Sequence, residues 1–242
     1  MLVLYYYSIR EINIEMLSNR AYKYLSTIKR DKNYIVDDRS KVVKYMEGQG
    51  IPVFEAVVNY QMKYSGLKLG VYGKPREMFK AWLFSAKEIL KNAPIDCFEV
   101  NGRHYFDFGD YEAAPVSFVL AEDGEVCIYD ELRDAVNCLY SSFEKLIEGY
   151  ALHDLLRRDQ QYEHPYYYNL INEKAFATQT SQYFRYSRAS DAYNEWVSMN
   201  GIFIQKSKWL SDSGLSFLHF YGGNQVTCEA LIQKMKDEGI VD

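Results

Sequence analysis

Pro115–Tyr150 reads PVSFVLAEDGEVCIYDELRDAVNCLYSSFEKLIEGY. Val116, Phe118 and Leu120 alternate with Ser117 and Val119, the two-residue period of a half-buried strand. Asp123-Gly124 offers the positive backbone angles of a tight hairpin turn. Val126 and Ile128 then alternate with Cys127 and Tyr129 on the returning strand. A third apolar run, Ala135–Tyr140, follows a charged loop. There the period changes: Phe143, Leu146, Ile147, Tyr150 and Ala151 fall on one face of a helix. Ser141 and Glu144 have capping-box spacing, the hydroxyl accepting from the first turn while the carboxylate reaches back. The stretch predicts a hairpin, a strand and a capped helix, a scaffold without catalytic chemistry.

Working outward, Ile95–Val100 and Arg103–Phe108 flank Asn101-Gly102, the strongest hairpin signal in the chain. Residues 95–108 and 115–140 are therefore expected in one antiparallel sheet packed by the helix from Phe143. On the N-terminal side, Leu2–Tyr7 reads as a strand, and Ser8 and Glu11 as a capping box opening a helix that runs to Ile28. A helix over Asp38–Glu47 ends at Gly48 or Gly50, and Pro52 opens another that Gly66 closes. Leu67, Leu69 and Val71 alternate as a strand, and Lys80–Lys91 reads as a helix.

Beyond Leu156 the chain turns polar before Tyr166-Tyr167-Tyr168. Ser190 is placed to cap a helix bearing Tyr193, Trp196 and Val197 and ended by Asn200-Gly201. Ile202–Gln205 and Leu215–Tyr221 read as strands, Thr227 as the cap of a last helix, and Gly239-Ile240 as its Schellman-type end. This order predicts an α+β fold, a largely antiparallel sheet flanked by helices in residues 1–156. Residues 157–242 form an ordered C-terminal α/β extension packed on it.

A net charge of -5 argues against indiscriminate nucleic-acid binding. The 23 tyrosines suit strands, and suit interfaces equally well, because the ring is apolar and the hydroxyl still bonds. Cys97, Cys127, Cys138 and Cys228 show no C-x-x-C spacing, so four reduced thiols and no disulfide are expected. The apolar start lacks a positive leader and is interrupted by Arg10 and Glu11, and no run reaches the ~18 apolar residues of a membrane span. A cytoplasmic protein that does not enter a membrane is the expectation.

His104, His153, His164 and His219 form no i, i+4 pair, and each reads as structural. Gly66 to Pro75 imitates a phosphate loop, but Pro75 stands where the metal-binding hydroxyl is required. No dinucleotide fingerprint and no nucleophile elbow occurs, so neither cofactor nor metal nor catalytic residue is expected. Carboxylates gather near the hairpins: Asp107, Asp110, Glu112, Glu122 and Asp123, then Asp130, Glu131 and Asp134. They lack calcium-loop grammar and read as solvated loop charge or as an acidic rim for a basic partner.

Two regions together resemble the SUKH superfamily. One is the helix, Ile51-Pro52, helix, Ser65-Gly66-Leu67 progression over residues 41–70; the other is SSFEKLIEGYAL, residues 141–152. Ser65-Gly66 stands where a Gly-Gly pair is common in the family. The resemblance implies an α+β fold and a non-enzymatic binding role, many bacterial members being similar to immunity proteins that bind a cognate toxin. The leading expectation is an immunity protein with a protein partner, for which a basic toxin domain is the candidate, contacted through Asp107, Asp110, Glu112, Glu122, Asp123 and Tyr166, Tyr167, Tyr168. The alternatives are a hydrolase assembled from sequence-distant residues and a regulatory interaction scaffold.

Overall fold

The computed structural model describes residues 17–70, 78–80, 82–111, 116–208 and 216–242. The strand expected over Leu2–Tyr7, the Ser8–Glu11 capping box, Val71, the loop at Lys74–Arg76, Glu112 and Leu215 lie outside them. Helix α1 (Asn19–Ser26) starts at Ser18, whose hydroxyl accepts from Ala21 N at 3.1 Å. Asp38 caps α2 (Arg39–Gly48) in the same way. Helix α3 (Glu55–Tyr64) starts after Pro52, not at it, residues 51–54 being non-helical. Gly66 turns the chain at φ +78°, where a Cβ would meet Asp31 O at 2.7 Å. Strand β1 (Lys68–Gly70) pairs antiparallel with β2 (Met78–Lys80), so Lys80 belongs to a strand. The expected helix there shortens to α4 (Ala86–Lys91). Its start is set by Ser85 and Glu88, each side chain accepting from the other's backbone N–H.

The first five-stranded sheet is an antiparallel meander of β3 (Cys97–Val100), β4 (Arg103–Tyr111), β5 (Val116–Ala121), β6 (Val126–Asp130) and β7 (Ala135–Tyr140). Asn101 and Gly102 both take positive φ, 53° and 79°, as their turn requires. In the next hairpin only Gly124 does, at φ 93°, so that connection is a wider loop. Phe106, Phe108, Phe118, Leu120 and Ile128 face the main core, against Phe143, Leu146 and Ile147 of α5 (Phe143–Arg158). The opposite face carries a small second cluster around Tyr105, Val119, Ala121 and Cys127. The capping box expected of Ser141 and Glu144 does not form. Ser142 caps α5, Ser141 donates N–H and hydroxyl to Asp191 at 2.8 and 3.1 Å, and Glu144 accepts from Lys63 and Tyr64, both at 2.7 Å.

After α5 come β8 (Tyr168–Asn169), α6 (Glu173–Gln179), β9 (Phe184–Arg185), β10 (Asn194–Met199), β11 (Ile202–Ser207), β12 (Phe217–Gly222) and α7 (Gln225–Asp237). The strands form a second five-stranded antiparallel sheet, ordered β8-β12-β11-β10-β9. The helix expected after Ser190 is therefore β10. Asn200-Gly201, at φ 52° and 77°, is a hairpin turn and not a helix end. Adjacent burial of Trp196 and Val197 imitated helical spacing because the strand is covered on both faces. Val197 packs with Ile232 and Met235 of α7, whereas Trp196 packs with Leu152 and Leu156 of α5. Asn224 caps α7 with Thr227 as its reciprocal partner, and Ile240 N donates to Met235 O in the Schellman-type end expected at Gly239.

Helix α5 is thus shared. Its first half completes the core of the first sheet, and its second half covers the second sheet. The cysteine expectation is corrected: Cys127 and Cys138 are joined by a disulfide, while Cys97 and Cys228 are free. The relevant spacing is not C-x-x-C but a register. The two residues are directly opposed across β6 and β7. No helix among the described residues is long and apolar enough to cross a membrane.

Candidate functional site: a cleft between the two sheets

A cleft of about 720 Å³ opens where the first sheet, α5 and the second sheet meet. Tyr150, His153 and Arg157 form one stripe of α5, at i, i+3 and i+7, and line it together. Phe118, Tyr140 and Phe217 supply aromatic wall, and Glu163, Asn194, Gln205 and Lys208 supply polar groups. Its mouth is the segment from Glu163 to Tyr168, which runs along β12: His164 N donates to Phe220 O at 3.0 Å, and Glu163 bridges to Tyr221.

Behind the mouth the hydrogen bonds define one tautomer. His219 Nε2 donates to His164 O at 2.8 Å, so its Nδ1 accepts from the Tyr221 hydroxyl at 2.7 Å. Burial pushes His219 down to about 4, the backbone bond opposing it only in part. His153 is also pushed down to about 4, by burial first; Glu163, with Oε1 4.0 Å from His153 Nε2, opposes the shift. Both imidazoles are therefore neutral near pH 7. Burial raises the Tyr167 hydroxyl, and the nearby Glu163 charge adds to that. The Tyr167 ring lies 4.0 Å from the His219 ring, centroid to centroid, while 52% of Tyr167 stays exposed.

The residues expected to bind a partner do not all converge here. Tyr167 lines the cleft, Tyr166 is exposed beside it, and Tyr168 is half-buried in β8 under the Lys236 ammonium. The acidic residues sit on the first sheet. Asp107 accepts from Gly109 N at 2.9 Å at a bulge in β4, and Asp110 lies opposite Ser117. Glu122 accepts from His104 N and Nδ1 at 2.9 and 3.0 Å, which holds its carboxyl below the usual range. Asp123 pairs with Arg103. Asp107, Glu122 and Asp123 are thus bonded within the fold, Asp123 while remaining exposed. Glu125, Cys127 and Cys138 bring three metal-donor residues together, but Arg103 holds Glu125 and the sulfurs hold each other.

Sequence reading missed His153, Arg157, Glu163, Asn194, Gln205 and Lys208 as cleft residues. The one usable signal was the i, i+3, i+7 stripe that sets His153 and Arg157 beside Tyr150, along one edge of the apolar face of the predicted helix. No protein-family model matches the chain, and neither a curated protein nor a solved structure is significantly similar to it.

Proposed function

We propose that this chain is a binding protein that takes a segment of a partner protein into the cleft, and that the partner is a toxin it neutralises by stoichiometric binding. The observation that carries the reading is Tyr167, half exposed at the cleft mouth yet seated on the buried ring of His219. A ring already fixed in orientation loses little freedom on contact and contributes a large apolar area, the properties of an interface anchor. Arg157, Lys208 and Glu163 line the same opening and would set the register of a polar segment. The SUKH resemblance, the immunity role and a cytoplasmic location belong to this proposal; the α+β fold is the architecture that the resemblance implies.

A hydrolase is the second reading, favoured by His153 and Glu163 facing each other across 4.0 Å in the cleft. Binding kinetics against the product of the neighbouring reading frame separate the two. Tyr167→Ala is expected to raise the dissociation rate roughly 30-fold, equivalent to about 2 kcal/mol. Charge reversal at Asp107, Asp110 and Glu112 is expected to slow association in a salt-dependent way if the acidic face is a second contact. Unchanged binding by Tyr167→Ala, together with substrate turnover lost in His153→Ala, would give the cleft to the hydrolase.

A further inference from the structure

Cys127 and Cys138 are opposed across a hairpin, but their sulfurs live in different surroundings. Cys127 is fully buried among Tyr105, Val119 and Ala121, whereas Cys138 is partly exposed. Arg103 Nη1 lies 3.9 Å from Cys138 Sγ. The guanidinium is held by Glu125 at 2.8 Å and by Asp123, and it leans on the Tyr105 ring at 5.4 Å. The cation offsets the Glu125 carboxylate, which lies within 4.8 Å of both sulfurs and by itself disfavours a thiolate there, and partial exposure opens Cys138 to exchange. The free cysteines contrast with it: burial pushes the Cys97 and Cys228 thiols up to about 11.

We propose that Cys127–Cys138 is a reversible thiol–disulfide site that exchanges with a low-molecular-weight thiol, Cys138 being the sulfur attacked and Cys127 the resolving partner. An external thiolate attacks Cys138 Sγ, the Cys127–Cys138 bond breaks, and Cys127 leaves with the electron pair and takes a proton from water. A second external thiolate then attacks the external sulfur of the mixed disulfide. It leaves as the oxidised small disulfide, and Cys138 is released as a thiolate beside Arg103. In total, one protein disulfide and two small thiols become two protein thiols and one small disulfide. Reoxidation is the same sequence reversed. Burial of Cys127 keeps an external thiolate off its sulfur, so the mixed disulfide that forms sits on Cys138.

The test is equilibration of the native full chain in graded mixtures of reduced and oxidised glutathione. Acid quenching, alkylation and peptide mass mapping follow, with circular dichroism recorded throughout. The expected result is a glutathione adduct on Cys138 and none on Cys127, then two free thiols at excess reduced glutathione with the fold retained. In the reduced protein, Arg103→Gln should slow alkylation of Cys138 about tenfold, the effect of one pKa unit on thiolate population, and Arg103→Lys should restore most of it. Adduct mapping on the unsubstituted chain needs neither variant to fold. A bond that opens only in denaturant would make the pair a structural staple and overturn the proposal, as would an adduct on Cys127. Stoichiometric zinc uptake by the reduced chain that blocks glutathione addition would reassign the pair, with Glu125, as a metal site.

Discussion

Tyr60 and Tyr64 lie one turn apart on α3, and both rings pack on Phe143. Among the described residues the buried Tyr60 hydroxyl has no hydrogen-bond partner, while the Tyr64 hydroxyl donates to Glu144 at 2.7 Å. A buried donor with no acceptor costs free energy that its removal returns. Tyr60→Phe is thus expected to stabilise by about 1 kcal/mol and Tyr64→Phe to destabilise by about the same, read from urea midpoints at constant m-value. The cleft histidines make a pH prediction. Both sit at about 4 in the fold, against an ordinary value of 6.5. Between those values the unfolded chain binds protons that the native chain does not. Their contribution is complete above pH 6.5 and is lost as pH falls towards 4, on the order of 3 kcal/mol for each ring. Urea midpoints from pH 7.5 to 4 should decline over that window, and His153→Gln should flatten the decline. A wild-type profile level down to pH 4.5 would contradict the burial of these rings.

Among the elements, the hairpins were the most legible part of the chain, because Asn-Gly at a turn is local chemistry: only residues tolerant of positive φ fit there. Asn101-Gly102 was read correctly by that rule. Asn200-Gly201 obeys the same rule, yet the neighbouring Trp196 and Val197 suggested a helix, since burial on both faces erases strand alternation. The cap of α5 was legible to within a residue and that of α7 to within three, Asn224 standing where Thr227 was expected; at α5 tertiary contacts decided which serine did the capping, since Asp191 took Ser141. The placement of α1 on α5 was not legible. It depends on Glu148, 3% exposed, which accepts from the Ser18 backbone and hydroxyl and from Arg20 Nη2 at 2.9 Å. Glu148→Ala leaves the Arg20 cation without that partner and should cost about 3 kcal/mol. Limited proteolysis should then cut first near α1. Equal protection of α1 in the variant would remove Glu148 from this role.

At the scale of the whole molecule, the two sheets are joined through α5 and through side-chain bonds: Tyr193 hydroxyl to Glu125 at 2.6 Å, Asn194 Nδ2 to Leu139 O, and Ser141 to Asp191. The cleft escaped sequence reading for the same reason: its walls run from Phe118 to Phe217, and only the assembled fold makes them neighbours. Gly149 sits at the joint, where an added Cβ would meet Trp196 Nε1 at 3.7 Å and Tyr140 Cε1 at 3.8 Å. Those are ordinary contact distances. Gly149→Ala is therefore expected to stabilise by up to about 1 kcal/mol through helix propensity, whereas Gly149→Leu should destabilise by about 2 kcal/mol by wedging the joint. Thermal unfolding followed by near-ultraviolet and far-ultraviolet signals checks both, and the leucine variant should make the two signals diverge. Helix α5 also makes the molecule divisible without making its halves independent. Gln160 is exposed in the turn after it, at φ 53°. A single backbone nick there would leave α5 on one fragment and Trp196, Tyr221 and Ala189, the surface it covers, on the other. Each piece alone would present bare apolar surface and tend to aggregate, while the two made together would find each other, so the chain is a natural candidate for split-protein complementation.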